Sequence, residues 1–208
     1  MNLEEGRKTV ELLLGIFSAF GLSASAGLNA YVPLLVMAIV SRLSGAFGWN
    51  ILNLQAPFDT LENGWIISLL IFLSLIEFFA DKLPAINHAN DVIQTFVRPA
   101  AGALAFAASA GVVTDLHPAF ALAAGLLIAG TVHTAKAAAM RPAVTATTGG
   151  AGNIVVSVLE DIVATVLSLV AVILPILIGG LTALFISWLI WFLWRRENRK
   201  QAHQEAGL

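Results

Sequence analysis

The sequence predicts an all-α fold, a polytopic transmembrane helix bundle of about six to seven spans, and three observations predict it. Hydrophobic residues make up 58% of the 208, and only 12% are charged, about half the share of roughly 25% usual in a soluble domain. Apolar runs recur at the length a helix needs to cross about 30 Å of hydrocarbon at about 1.5 Å per residue. The runs are continuous, whereas the strands of a membrane barrel alternate. At a mean hydropathy of +0.86, a water-soluble fold of this size could not hide its apolar side chains. The lack of Cys and the formal net charge of -2 exclude a disulfide-framed secreted domain and a soluble nucleic-acid binder. A single transmembrane domain over residues 1–208 is expected, with 195–208 as a basic tail and the lipid bilayer as its first partner.

Each span follows from the same ruler. Val10–Ser25, a short run, is the first, Leu28–Phe47 the second and Trp65–Ala80 the third. Pro99–Val113 is a short fourth, Pro118–Ala135 the fifth, Asn153–Leu174 the sixth and Pro175–Trp194 the seventh. Between the third and fourth, Asn87, Asp91, Gln94 and Arg98 recur at helical spacing opposite Ala89, Val92, Ile93, Phe96 and Val97. That pattern predicts an amphipathic helix, either in the membrane plane or lining a polar cavity, with Pro99 opening the next helix.

Lys and Arg near span ends set orientation. Arg195, Arg196, Arg199 and Lys200 place the C-terminus in the cytoplasm of an inner (plasma) membrane protein, and the Lys136–Arg141 and Lys82–Arg98 segments fall on the same side. The Gly48–Gly64 loop, with Asp59 and Glu62 and no Lys or Arg, falls outside, as does the Asp115–His117 turn. Trp49 and Trp65 bracket the outer loop, and Trp188, Trp191 and Trp194 mark the inner interface. Arg7, Lys8 and Arg42 do not fit seven crossings, so Val10–Ser25 either crosses or re-enters. Ser23-Ala24-Ser25-Ala26 is similar to a signal-peptide cleavage site, but the acidic flank and the apolar segment beyond it argue against cleavage.

Two stretches interrupt the pattern: Gly21 to Asn29, and Thr145 to Asn153. Both are rich in Gly and hydroxyl groups and end in Asn, a good helix N-cap. Broken helices at membrane depth point to a substrate site; the alternative is interfacial turns or small-residue packing.

Charge in lipid costs about 2.5–3.5 kcal/mol per residue at a helix centre, so it must face protein or water. Glu77 and Asp81 share a helix face, and Glu160 and Asp161 lie about two turns into the sixth span. With Asn29, Asp91, Arg98, His133, Lys136 and Asn153 they are the candidate substrate- or ion-binding residues. Arg98 could grip a phosphate or carboxylate, or a headgroup. Lys136 and His133 could snorkel, Asp81-Lys82 could simply reach the interface, and Lys136 or Arg98 could neutralise a carboxylate between helices. No standard metal spacing, phosphate loop or nucleophile elbow occurs, so no cofactor and no catalytic residue is assigned; a metal is left open.

The segments Gly27-Leu28-Asn29-Ala30-Tyr31-Val32-Pro33, Glu77-Phe78-Phe79-Ala80-Asp81-Lys82-Leu83-Pro84, Asp91 through Arg98-Pro99-Ala100-Ala101-Gly102, His133-Thr134-Ala135-Lys136 and Ser157-Val158-Leu159-Glu160-Asp161 together resemble a bacterial membrane family, domain of unknown function 4126. The resemblance covers roughly Gly15 to Pro175. It implies an integral membrane protein and supplies no activity. In device rather than sequence, re-entrant pieces with a membrane acid and an Arg-Pro element are similar to small carriers of polyprenyl-phosphate lipids.

The residues themselves lead to the expectation of a small transporter or permease for a small or anionic substrate, a lipid phosphate included. The alternative is a non-transporting scaffold or assembly factor, marked by acids all paired in a dry interior. A membrane enzyme using carboxylates with a metal is third. A second copy of the chain is a candidate partner.

Overall fold

The computed structural model describes residues 3–49, 51–82, 84–111, 117–149 and 152–205; the side chains of 3, 84–89, 91, 110, 111, 141, 176 and 197–205 lie outside that description. The described residues are almost entirely helical, without strands: α1 (Leu3–Leu28), α2 (Tyr31–Phe47), a 3₁₀ turn (Phe58–Glu62), α3 (Gly64–Ala80), α4 (Pro84–Gly111), α5 (Pro118–Ala135), a π segment (Lys136–Met140), α6 (Arg141–Thr148), α7 (Gly152–Ile173) and α8 (Pro175–Glu205). Five are long and apolar enough to cross a bilayer, α5 through α6 counting as one; α2 and α3 are shorter apolar helices. This is a membrane protein.

Three sequence expectations change in detail. Val10–Ser25 is part of one unbroken helix of 26 residues, about 39 Å at the α-helical rise, so it is long enough to cross. The break expected over Gly21–Asn29 shrinks to Asn29–Ala30, because Asn29 N–H still bonds to Ser25 O. The amphipathic stretch is not a separate helix. It is the first half of α4, which runs on through Pro99.

The α1, α4 and α5 helices form the centre, with α7 against α1 and α2. Small residues allow this. A Cβ on Gly102 of α4 would sit 2.2 Å from Ala129 Cβ, and one on Gly125 of α5 would sit 2.3 Å from Gly102 O. With little hydrophobic drive between helices in lipid, such close backbone approach supplies the packing. The outer faces are apolar and exposed, Phe72, Phe96, Leu127 and Leu184 among them, as a lipid-solvated surface requires. All five tryptophans are exposed too.

The α2–α3 loop is tied down. Asn63 caps α3 by accepting from Trp65 N–H at 2.9 Å. Ser41 donates to Glu62 at 2.6 Å and accepts from Leu54 N–H, while Arg42 donates to Glu62 O at 3.0 Å. Arg42, awkward as a topology signal, is a strut for this loop.

Candidate functional site

At the end of the bundle away from this loop, the α1–α2 break is buried and built around two side chains. A helix start leaves N–H groups without intrahelical partners. Asn29 Oδ1 accepts from Tyr31 N–H at 3.1 Å and Val32 N–H at 3.0 Å. The Glu77 carboxylate from α3 accepts from Ala30 N–H at 3.2 Å. An acid at the positive end of α2 is favourable twice, as acceptor and as counter-charge to the helix dipole.

Glu77 is also one half of a buried ion pair. Arg98, fully buried, donates to Glu77 Oε1 from Nη2 at 2.9 Å and from Nε at 3.2 Å, and to Asp81 Oδ2 at 3.3 Å. Asp81 accepts from Asn90 Nδ2 at 2.7 Å. His133 closes the group: Nδ1 lies 3.5 Å from Arg98 Nη1, and Nε2 lies 3.3 Å from Thr95 Oγ1. An arginine has no acceptor, so Nδ1 facing it is the lone-pair nitrogen and Nε2 carries the proton of a neutral ring.

A second group lies on α7. Glu160 pairs with Lys136, whose ammonium also reaches Leu28 O at the end of α1. Lys136 opens the π segment, an irregularity that recurs at functional sites. Ser157 Oγ and Glu160 Oε1 are buried without a hydrogen-bond partner. Asp161 faces the other way, accepting from Lys82 Nζ at 2.9 Å and Asn29 Nδ2 at 3.0 Å. Asn29 thus joins the α2 cap to the α7 acid.

A family model described as "Domain of unknown function (DUF4126)" matches residues 16–196. The chain belongs to that family. No curated protein and no solved structure matches it. In this chain the segments Glu77 through Pro84 and Asp91 through Gly102 carry Glu77, Asp81 and Arg98, and the segments at His133–Lys136 and Ser157–Asp161 carry their neighbours.

Of the ten candidates, Asn29, Glu77, Asp81, Arg98, His133, Lys136, Glu160 and Asp161 come together. The side chain of Asp91 lies outside the described residues. Asn153 stands apart: its Nδ2 donates to Thr145 Oγ1 at 2.9 Å, and it does not cap α7, since Thr148 Oγ1 accepts from Gly152 N–H instead. Lys136 and His133 do not snorkel; both are buried. Lys82 is no interface anchor either, because Asp161 draws it inward. Asn90 was missed in the sequence: the inward face of α4 is Asn90, Gln94 and Arg98, one residue off the 87/91 phase. Asn90 and Gln94 lie at the same four-residue spacing as Gln94 and Arg98, and that was the available signal. Among the described residues no group of three His, Asp or Glu is arranged to hold a metal ion.

The opposite end of the bundle is open. A cleft of about 960 Å³ is lined by Lys8, Glu11, Ser18, Asn53, Ser109 and Val172, among others. It follows α1 inward for about ten residues, about 15 Å. Ser109 Oγ, on its floor, has no hydrogen-bond partner among the described residues. Beyond Ser18 the path closes on Leu22 and Ala26, both fully buried, and on Gly21 packed against Ala171 and Ile178.

Proposed function

We propose that this protein is a small permease of the plasma (inner) membrane, its basic tail in the cytoplasm, moving a small polar or anionic solute together with a proton or monovalent cation. The observation that carries the reading is one cleft and one seal in the same bundle: a cleft of mixed polar and apolar lining entering from one end, and a layer of buried ion pairs closing the other. Alternating access needs those two parts at opposite ends of a site near the midplane.

The charge balance supports coupling. Among the described side chains the layer holds the acids Glu77, Asp81, Glu160 and Asp161 against the bases Lys82, Arg98 and Lys136. That leaves one acid in excess beside a neutral His133. Arg98 is shared by Glu77 and Asp81, so this pair is where one added positive charge gains most. Burying ions costs several kcal/mol each even after relaxation, and a bundle could be held by apolar packing alone.

A specific observation favours a second reading. Every described acid in the layer is paired with a base, as a non-transporting scaffold would require. Transport separates the two. Proteoliposomes loaded with a pH-reporting dye are challenged with gradients of inorganic phosphate, carboxylates and amino acids. The permease reading expects solute-dependent proton flux that Glu160→Gln and Asp161→Asn, folded normally, slow or shift in pH dependence. Unchanged rate and pH dependence in those variants contradicts the assigned roles, and no flux with any probe favours the scaffold.

A further inference from the structure

The buried face of α7 changes character at Glu160. Ser157, Glu160, Ala164, Ser168 and Ala171 recur along it at helical spacing. On the cleft side of Glu160 the hydroxyls are used. Ser168 Oγ donates to Ala164 O at 2.7 Å, and Ser25 Oγ of α1 lies 2.7 Å from both that carbonyl and Ser168 Oγ. Ala164, Ser168 and Ala171 are fully buried, so the face is dry and closed there. On the side away from the cleft, three oxygens in succession have no hydrogen-bond partner among the described residues: Asn153 Oδ1, Ser157 Oγ and Glu160 Oε1. Ser157 is 2% exposed and Glu160 6%. Asn153, in the first turn of α7, is only partly buried, and its Nδ2 is held by Thr145.

A buried oxygen left unpaired costs about 1–3 kcal/mol, and three on one face call for a common donor. The spacing fits water. Steps of four and three residues are about 6 and 4.5 Å along the helix, gaps that one molecule making two hydrogen bonds of about 2.8 Å can bridge. A metal cation fits less well. The Lys136 ammonium already sits against Glu160, and the three oxygens are spread over about 10 Å rather than around one point. A serine hydroxyl both accepts and donates, so Ser157 can pass a proton between waters.

The charges around the end of this row are few. Glu160 faces Lys136 from the π segment and acts through space on Arg98 of α4. His133 of α5 lies beside Arg98, and Asp161 turns away to Lys82. Tyr31 is the ionisable side chain at this end of α2, α1 has none after Glu11, and α8 has none before Arg195. The side chain of Arg141 on α6 lies outside the described residues.

We infer that Asn153, Ser157 and Glu160 form a water-bridged proton path that enters from the end of the bundle opposite the cleft and terminates at Glu160 Oε1. An arriving hydronium gives its proton to Oε1 and leaves as water. Glu160 becomes a neutral acid, and Lys136, still protonated, loses that counter-charge while keeping Leu28 O at the end of α1. The path deepens the permease reading, on which its use in coupling rests, by giving the proton an entrance opposite the solute's.

The test needs no transport: infrared absorption of the full chain in lipid vesicles, titrated with acid and then exchanged into D₂O. A carboxylic C=O band should appear as the pH falls, be missing in Glu160→Gln, and shift on exchange. Asn153→Leu and Ser157→Ala should each slow that shift about tenfold, the order of one lost hydrogen bond, without moving the melting temperature or the pH at which the band appears. Ser168→Ala, on the closed side, should leave the exchange rate unchanged. Three results overturn the path: no band assignable to Glu160 at any pH where the chain stays folded, parent-like exchange in both Asn153→Leu and Ser157→Ala, or equal slowing in Ser168→Ala. Exchange that depends on Asn153 and Ser157 in a chain that carries no solute in proteoliposomes upholds the path while the permease reading fails.

Discussion

The two ends of the bundle handle polar groups in opposite ways. At the α1–α2 break, seven ionisable side chains and His133 are drawn from α3, α4, the α5–π junction and α7 into one layer, and almost every partner is another side chain or a backbone N–H. At the other end, Ser18, Asn53 and Ser109 line a cleft, and Ser109 finds no hydrogen-bond partner among the described residues. The difference teaches where energy is stored. In the layer each group depends on the others, because a buried charge without its partner keeps the full cost of desolvation. In the cleft Ser109 depends on no hydrogen-bond partner among the described residues, so a change there should be cheap.

The largest effect should come from Arg98→Met. It leaves Glu77 and Asp81 buried without their shared base, at about 3–5 kcal/mol, read as loss of a cooperative melt or of yield in detergent. Adding Glu77→Gln and Asp81→Asn should recover part of that, since neutral partners need no base. If Arg98→Met melts like the parent chain, the layer is not interdependent and the contrast fails.

Next comes Lys136→Met, which strands Glu160. It should destabilise by about 3 kcal/mol, and Glu160→Gln in the same chain should rescue most of it. A double-variant cycle measures the coupling; additive effects would mean that the two residues do not act as a pair.

Asn29→Ala removes the acceptor for two N–H groups of α2 and the donor to Asp161. A cap is worth about 0.5–2 kcal/mol, so a moderate drop in melting temperature is expected, smaller than for Arg98→Met. At the open end, Ser109→Ala deletes a hydroxyl with no hydrogen-bond partner among the described residues, and its stability should change by less than about 0.5 kcal/mol. A large loss there would erase the difference between the ends.

The sequence made much of this legible, and the limits have physical reasons. Span positions follow from hydropathy because crossing lipid demands only length and apolar content, and Tyr31–Phe47, Gly64–Ala80 and Pro118–Ala135 lie within a few residues of the expected bounds. The acids could be picked out because charge in lipid is rare. Their partners could not. Lys82 and Asp161 are 79 residues apart in sequence, and only the packing of α3 and α7 on either side of α2 brings them together. The continuity of α4 through Pro99 was hidden as well: proline reads as a helix start in water, yet inside a membrane bundle neighbouring groups let a helix continue through it. Asn29 and Asn153 looked equivalent, each following a glycine-rich stretch. Only Asn29 has a buried helix start to serve, while Thr148 does that work for α7.

The absence of Cys from the chain makes the contrast between the ends directly measurable. Single-cysteine variants Ser18→Cys and Asn53→Cys in the cleft, and Ser25→Cys and Ser157→Cys beyond the seal, can be challenged in sealed vesicles with a membrane-impermeant maleimide. The account predicts that the two cleft positions react when the reagent is on the outer side, and that the two sealed positions stay protected from that side. Reaction of Ser157→Cys as fast as Asn53→Cys, or no reaction at Ser18→Cys and Asn53→Cys, would contradict a cleft closed by an ion-pair layer.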